Sequence, residues 1–357
     1  MKKIEIFIKK IFFKIFLLIS KKNTLSEKPV INSGSMILFI RLNRIGDALV
    51  TTPLLHQVKK NIGCKIYVLA DKKNYFIFEH CPDVDATIIH EKGLRGIQKL
   101  NSFIKKNKVK VIADLHDDVS VTVSILISIS NCKYKFGIKK ENQKIYTHTV
   151  ERLKSDTHHI IERTLEFAKL FGFQPNYENA KVSYQIKESS LNFAQSQLIK
   201  YKEKFLLGIN ITAGSDARFW GVENFKSLIE LLSSYDLNYI VFTTENKSEV
   251  ALQITDKKFI YPASNDFDTF AAGISKMDML FTPDTSVIHI ASLFKIPVFG
   301  LYVKYKTEDM IWSPYKTDFE FVVTQRATLE DISFNQVKEK FIPFLEKHIY
   351  EKRNSGL

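Results

Sequence analysis

Two stretches of this sequence set acid, hydroxyl and imidazole groups where an apolar strand gives way to a helix. In FTPDTSVIHIASLFKIPVFGLY, residues 281–302, Asp284, Thr285, Ser286 and His289 follow directly on Pro283. With Pro283 blocking the preceding turn, Asp284 is expected near the N-cap of a helix over 285–294. The N–H groups of Thr285, Ser286 and Val287 then face outward beside a positive dipole end. Such a place suits an anion, a diphosphate above all. His289, one turn in, reads equally as a ligand contact or as a hydrogen-bonded helix histidine. In FIRLNRIGDALVTTPLL, residues 39–55, a strand ends at Arg41 and Gly46-Asp47 opens the next segment. Thr52-Pro53 makes a good N-cap and first helical position. Alternatively the helix starts at Asp47 and Pro53 kinks it. Either way Asp47 projects from the carboxyl edge of the strand, with Arg44 and Gly46 beside it. Taken alone, an Asp there is more often a helix cap than a base.

Two further corners are weaker. In INITAGSDARFWGVENF, residues 209–225, a small-residue loop leads to Arg218, which suits phosphate charge. A solvated surface arginine is the plain alternative, and Trp220 reads as core or lid. In IADLHDDVS, residues 112–120, Asp114, His116 and Asp117 end a strand. Their spacing fits no standard metal site, so Asp114 and His116 are expected on a polar edge that binds an acceptor. No G-x-G-x-x-G follows a strand and no G-x-x-x-x-G-K-[ST] occurs, which points away from dehydrogenases and ATPases.

The elements that must position these corners alternate. Apolar β-rich runs MILFIR, KIYVLA, ATIIH and VKVIAD are separated by helical stretches, and KFLLGIN, LNYIVFT, KKFIY, MDMLF, IPVFGLY and FEFVV repeat the alternation. Near-continuous apolar strands between helices predict parallel sheets covered on both faces. The expected fold is α/β: two Rossmann-like parallel-sheet lobes facing a cleft at their strand carboxyl edges. The first lobe is placed at 36–174 and the second at 186–330. The final helix, 331–357, is expected to pack back across the first lobe.

The chain has 357 residues and a net charge of +13, from 52 basic and 39 acidic residues. Eight lysines against Glu5 and Glu27 put +6 into residues 1–35. Lys3, Lys10, Lys14 and Lys21 share one helical face while isoleucines and phenylalanines cover the rest. The lysines interrupt any run of the roughly 20 apolar residues a bilayer span needs. Residues 1–30 are therefore expected to lie in an anionic membrane surface; docking on the protein's own body is the alternative. Cys64, Cys81 and Cys132 are scattered, which argues against a disulfide framework and for a reducing compartment. A nucleic-acid-binding module would leave Asp47 and Asp284 without a purpose, so no nucleic acid is expected as a partner.

The two corner blocks, ILFIRLNRIGDALVTTPLL and FTPDTSVIHIASLFKIPVFGLY, resemble the hallmark blocks of glycosyltransferase family 9, the bacterial lipopolysaccharide heptosyltransferases. PDVDATII, VIADLHDD, KYKFGI and HHIIERTLEFAKLFG recur in the family in that order. The resemblance implies the glycosyltransferase B architecture and an inverting, metal-independent transferase. Its ADP-heptose donor is a substrate, no cofactor is required, and the acceptor is the lipopolysaccharide core. It implies an enzyme on the cytoplasmic face of the inner membrane. Asp47 matches the catalytic aspartate, and Asp284, Thr285, Ser286 and His289 the donor block. Arg218 falls where a Lys or Arg precedes a Trp, and Glu245 is the candidate for the ribose. Arg44, Gly46, Asp114 and His116 are assigned to the acceptor side. DLHDD lacks the Gly and the later Arg common there, which leaves the acceptor open. Another sugar nucleotide, or a sugar-nucleotide epimerase on the same plan, stays open too.

Overall fold

A computed structural model of the chain describes Phe13, residues 24–212 and residues 214–354. The membrane-surface helix expected over 1–30 falls largely outside the described residues. The chain divides into two units: one runs to Lys154 and includes Ile160–Tyr184, the other comprises Ser155–His159 and Gln185–Leu357. The boundary after Tyr184 falls between the ranges 36–174 and 186–330 expected for the two lobes. The short segment 155–159 belongs to the second unit; there the Met310 N–H donates to the Ser155 carbonyl at 2.8 Å.

The first lobe holds six strands: β1 (Met36–Arg41), β2 (Lys65–Ala70), β3 (Ala86–Ile89), β4 (Val111–Asp114), β5 (Tyr134–Ile138) and β6 (His148–Val150). They are all parallel, in the order β3-β2-β1-β4-β5-β6. β1 is buried along its whole length, as a strand covered on both faces must be. The second lobe holds β7 (Phe205–Asn210), β8 (Leu237–Phe242), β9 (Met279–Pro283), β10 (Val298–Val303) and β11 (Phe319–Thr324). These too are parallel, in the order β11-β10-β9-β7-β8. In each sheet the order reverses once, at β1/β4 and at β7/β9. Ligands of open parallel sheets bind beyond the strand carboxyl ends at such a point.

Two expectations need correction. KKFIY is no strand: Lys257–Phe259 form a single 3-10 turn, and only Ile260 makes an isolated bridge to Val241. The last helix, Phe334–Asn354, packs into the second lobe rather than across the first. Its Val337, Phe341, Leu345 and Ile349 join the core under β7, β9 and β10, because its apolar stripe matches the uncovered face of that sheet.

Candidate functional site

The first-lobe site grows from the end of β1. The chain breaks into two helices, Ile45–Leu49 and Thr52–Ile62, so both readings of this corner were half right. Thr51 is the N-cap of the second helix and Pro53 sits in its first turn, where a missing N–H costs nothing. Asp47 does not cap the first helix. Its Oδ1 instead accepts from Arg41 Nη2 at 3.0 Å and from Asn43 Nδ2 at 3.3 Å. Arg41 is 1% exposed and Asp47 17%. The guanidinium also donates from Nε to the Asp47 carbonyl at 3.0 Å and from Nη1 to the Leu115 carbonyl. One buried cation thus ties the Gly46-Asp47 corner to the segment after β4, across the point where the strand order reverses. Burial pulls the Arg41 guanidinium below its ordinary value, opposed by Asp47 and Asp114.

Beneath this pair lies a buried polar cluster. Asp114 and His116 are buried, so they support the edge from within rather than line it. His116 Nδ1 lies 2.7 Å from Asp114 Oδ1, and Nε2 accepts from the Leu42 N–H at 3.1 Å. That arrangement needs a neutral imidazole with its proton on Nδ1. Burial holds His116 below its ordinary value, helped by Arg41 and Lys140 and opposed by Asp114. Asp114 Oδ2 accepts from Tyr146 and from Lys140 at 3.3 Å. Burial alone would raise the Asp114 carboxyl; Lys140 and His116 more than offset it and hold it far below the usual range. Gly137 makes room for Tyr146, since a Cβ there would lie 2.5 Å from its ring. Asp117 is clamped by Arg152 and Arg163, each at 2.7 Å.

Above the cluster a pocket of about 430 Å³ opens at the carboxyl edge, lined among others by Asn43, Asp71, His90, Lys92, Ser120 and Thr122. Asn43 links this pocket to Asp47. Arg44 is exposed as the N-cap of Ile45–Leu49, with Gly46 half-buried beside it. Sequence reasoning missed Arg41, Lys140, Tyr146 and the pocket residues after β2 and β3. Arg41 alone left a signal, a cation closing an otherwise apolar strand.

The second-lobe site grows from β7 and β9. Asn210 and Thr282, both fully buried, bridge the two strand ends at 2.9 Å. The loop after β7 ends in a turn, Asp216–Arg218. Arg218 Nη2 pairs with Asp284 Oδ2 at 3.0 Å; the side chains are 29% and 24% exposed. Arg218 Nε is buried and meets no partner among the described residues. Trp220 is core: fully buried, its indole N–H donates to the Ile332 carbonyl at 2.8 Å. Gly221, at φ 99°, lets the chain turn from there into the helix Val222–Leu232.

The helix after β9 begins later than expected, at Val287, with Ser286 as N-cap. Thr285 Oγ1 accepts from the Val287 N–H at 3.1 Å. Of the three amides expected to be open, Val287's is therefore taken. Those of Thr285 and Ser286 donate to nothing among the described residues. His289 is buried, and its Nδ1 has no hydrogen-bond partner among the described residues. Burial pushes its pKa down to about 3, with His159 adding to the effect. Glu245 stands exposed at the carboxyl end of β8, held by Asn265. Among the described residues no group of three or more His, Cys, Asp or Glu could hold a metal ion.

The sequence model of glycosyltransferase family 9 (heptosyltransferase) matches residues 97–341, most of the chain. The chain belongs to this family. It is 21% identical over 275 residues to the lipopolysaccharide core heptosyltransferase OpsX of Haemophilus influenzae, covering 74% of this chain and 77% of that protein. It is 21% identical over 294 residues to lipopolysaccharide heptosyltransferase 3 of Escherichia coli, covering 76% and 84%. Among solved structures, a family 9 glycosyl transferase from Veillonella parvula superposes with a TM-score of 0.73 at 18% identity, over 92% of this chain and 99% of that one. ADP-heptose lipopolysaccharide heptosyltransferase II of E. coli gives 0.70 at 16%, over 89% and 99%. The chain thus has the glycosyltransferase B fold and is a glycosyltransferase of the heptosyltransferase family. The match covers β4 to the last helix, so the Asp47 corner is supported by its geometry alone.

Proposed function

We propose that this heptosyltransferase moves a heptosyl group from ADP-heptose to a sugar of the lipopolysaccharide inner core, with inversion and without a metal. The observation that carries the mechanism is the hold on Asp47: Arg41 and Asn43 both bind Oδ1, and no hydrogen bond to Oδ2 occurs among the described residues. Oδ2 is the base. It takes the proton from an acceptor hydroxyl seated in the pocket beside Asn43, while Arg41 keeps the carboxylate aimed. The new bond forms at the anomeric carbon on the face opposite the breaking bond to ADP. General-base help of this kind contributes about 10²–10⁴-fold.

On the donor side the departing diphosphate gains charge. Arg218 and the amides of Thr285 and Ser286 stabilise it electrostatically. For that, Arg218 leaves Asp284, which its half-exposed position permits at little cost. Asp284 and His289 then face the donor, and Glu245 the ribose. The donor identity is supported by E. coli WaaC, which shares the fold (TM-score 0.64, 18% identity) and whose structure contains ADP-2-deoxy-2-fluoro heptose. Membrane docking through residues 1–30 belongs to the same reading. Among the described residues no helix is long and apolar enough to cross a membrane.

The test incubates the protein with ADP-heptose and a core-sugar acceptor, with and without EDTA, and follows ADP and product. Acceptor-dependent ADP release, an inverted anomeric centre and indifference to EDTA are expected. ADP release that ignores the acceptor, or turnover of another nucleotide sugar only, rejects the proposal.

A further inference from the structure

The helix Val121–Ile129 contains no charged residue. Val123, Leu126 and Ile127 turn into the first-lobe core. Val121, Ile125 and Ile129, four residues apart, form an outward stripe and are 36%, 37% and 39% exposed. A solvent-facing stripe normally carries polar groups. Ile125 shares the pocket rim with Gly93 and Ile97 of the neighbouring helix, Gly93–Lys106. Leu94, next to Gly93, is 78% exposed.

The charge flanking this apolar strip is predominantly positive. The helix Gly93–Lys106 carries Arg95, Lys99, Lys105 and Lys106 and no acid, with Lys92 before it. Beside Asp71 on the pocket rim, the acids of the flanking segments are paired: Glu91 with Lys99, Asp117 with Arg152 and Arg163, Asp118 with Arg152. The described root of the basic N-terminal stretch packs on the segments that follow this helix in the chain. Its Glu27 binds Lys133 and Tyr134, just past Ile129 in the chain, and its Leu25 N–H donates to the Thr147 carbonyl at 3.3 Å.

An apolar strip edged by a net excess of cations fits an anionic bilayer interface. A second copy would instead set like charges against each other. We propose that this face of the first lobe rests on an anionic lipid surface, a contact separate from residues 1–30. The contact rests on the heptosyltransferase reading only for its purpose: it would bring a lipid-borne acceptor to the pocket beside Asn43.

Co-sedimentation of the full chain with phosphatidylglycerol–phosphatidylcholine vesicles tests it. Val121→Glu/Ile129→Glu should cut vesicle partition about tenfold, and partition of the parent chain should fall with added salt. Unchanged partition overturns the proposal. An Ile129→Cys protein carrying an environment-sensitive fluorophore should shift to the blue on anionic vesicles, and no shift overturns it even if the double variant folds poorly. Loss of self-association without loss of vesicle binding also overturns it and makes the face a contact between copies. Transfer to a lipid-free acceptor should survive in the double variant. If the parent chain shows no such transfer, the enzyme assignment fails while the vesicle result stands.

Discussion

Both lobes place an arginine–aspartate pair where the strand order of the sheet reverses, yet the two pairs are set at different depths. Arg41 and Asp47 are sunk in the first lobe, with Asp114, His116, Lys140 and Tyr146 packed beneath them. Arg218 and Asp284 are each about a quarter exposed and rest on loop ends. A buried ion pair is costly to break and holds one geometry; an exposed one contributes little and exchanges partners readily. In the proposed mechanism the first pair aims a base, and the second keeps a cation ready for a ligand that carries its own charge.

The comparison breaks most sharply at Asp47. Asp47→Asn should lower transfer by about 10²–10⁴-fold, while calorimetric ADP binding, a second-lobe property, stays as it was. Residual activity within tenfold of the parent would remove the base. Next come the two arginines. Arg41→Met should cost about 3–5 kcal/mol in urea unfolding, because it takes the cation from Asp47 and leaves two carbonyls without their donor; Arg218→Met should cost under about 1 kcal/mol. Equal costs would erase the distinction drawn here. Arg218→Met should nonetheless weaken ADP binding by roughly tenfold or more, the scale of a lost hydrogen bond to a charged group.

The smallest effect concerns His289. Burial holds its folded pKa at about 3, below the ordinary histidine value of 6.5. As pH falls below 6.5 the unfolded chain binds a proton that the buried imidazole refuses, so stability is lost from there down to about 3. Its share of the slope is at most about 1.4 kcal/mol per pH unit. His289→Gln should flatten the acid limb of a stability-versus-pH curve by up to that amount. An unaltered limb would mean that the imidazole is solvated or paired.

Most of the fold was legible because buried parallel strands announce themselves: MILFIR and KIYVLA correspond residue for residue to β1 and β2. β6, with three residues, is too short to show any period. KKFIY has strand composition but lies where the sheet has already ended at β8. The corners holding Asp47 and Asp284 were legible from strand-to-helix breaks. Their partners were not. Lys140 and Tyr146 reach Asp114 from 26 and 32 residues away, and no local spacing encodes a contact that only the sheet order creates. Asp114 and His116 were legible as polar residues ending a strand, but their burial depends on what packs over them.

The last helix carries a practical consequence. Trp220, just past the Arg218 turn, hangs from the Ile332 carbonyl, and Lys352 is anchored to Asp278 at the threshold of β9. A protease clip in the exposed turns after Thr324, or a bulky purification tag crowding this terminus, would loosen the turn that carries Arg218 and so, in the proposed mechanism, weaken nucleotide capture from a distance.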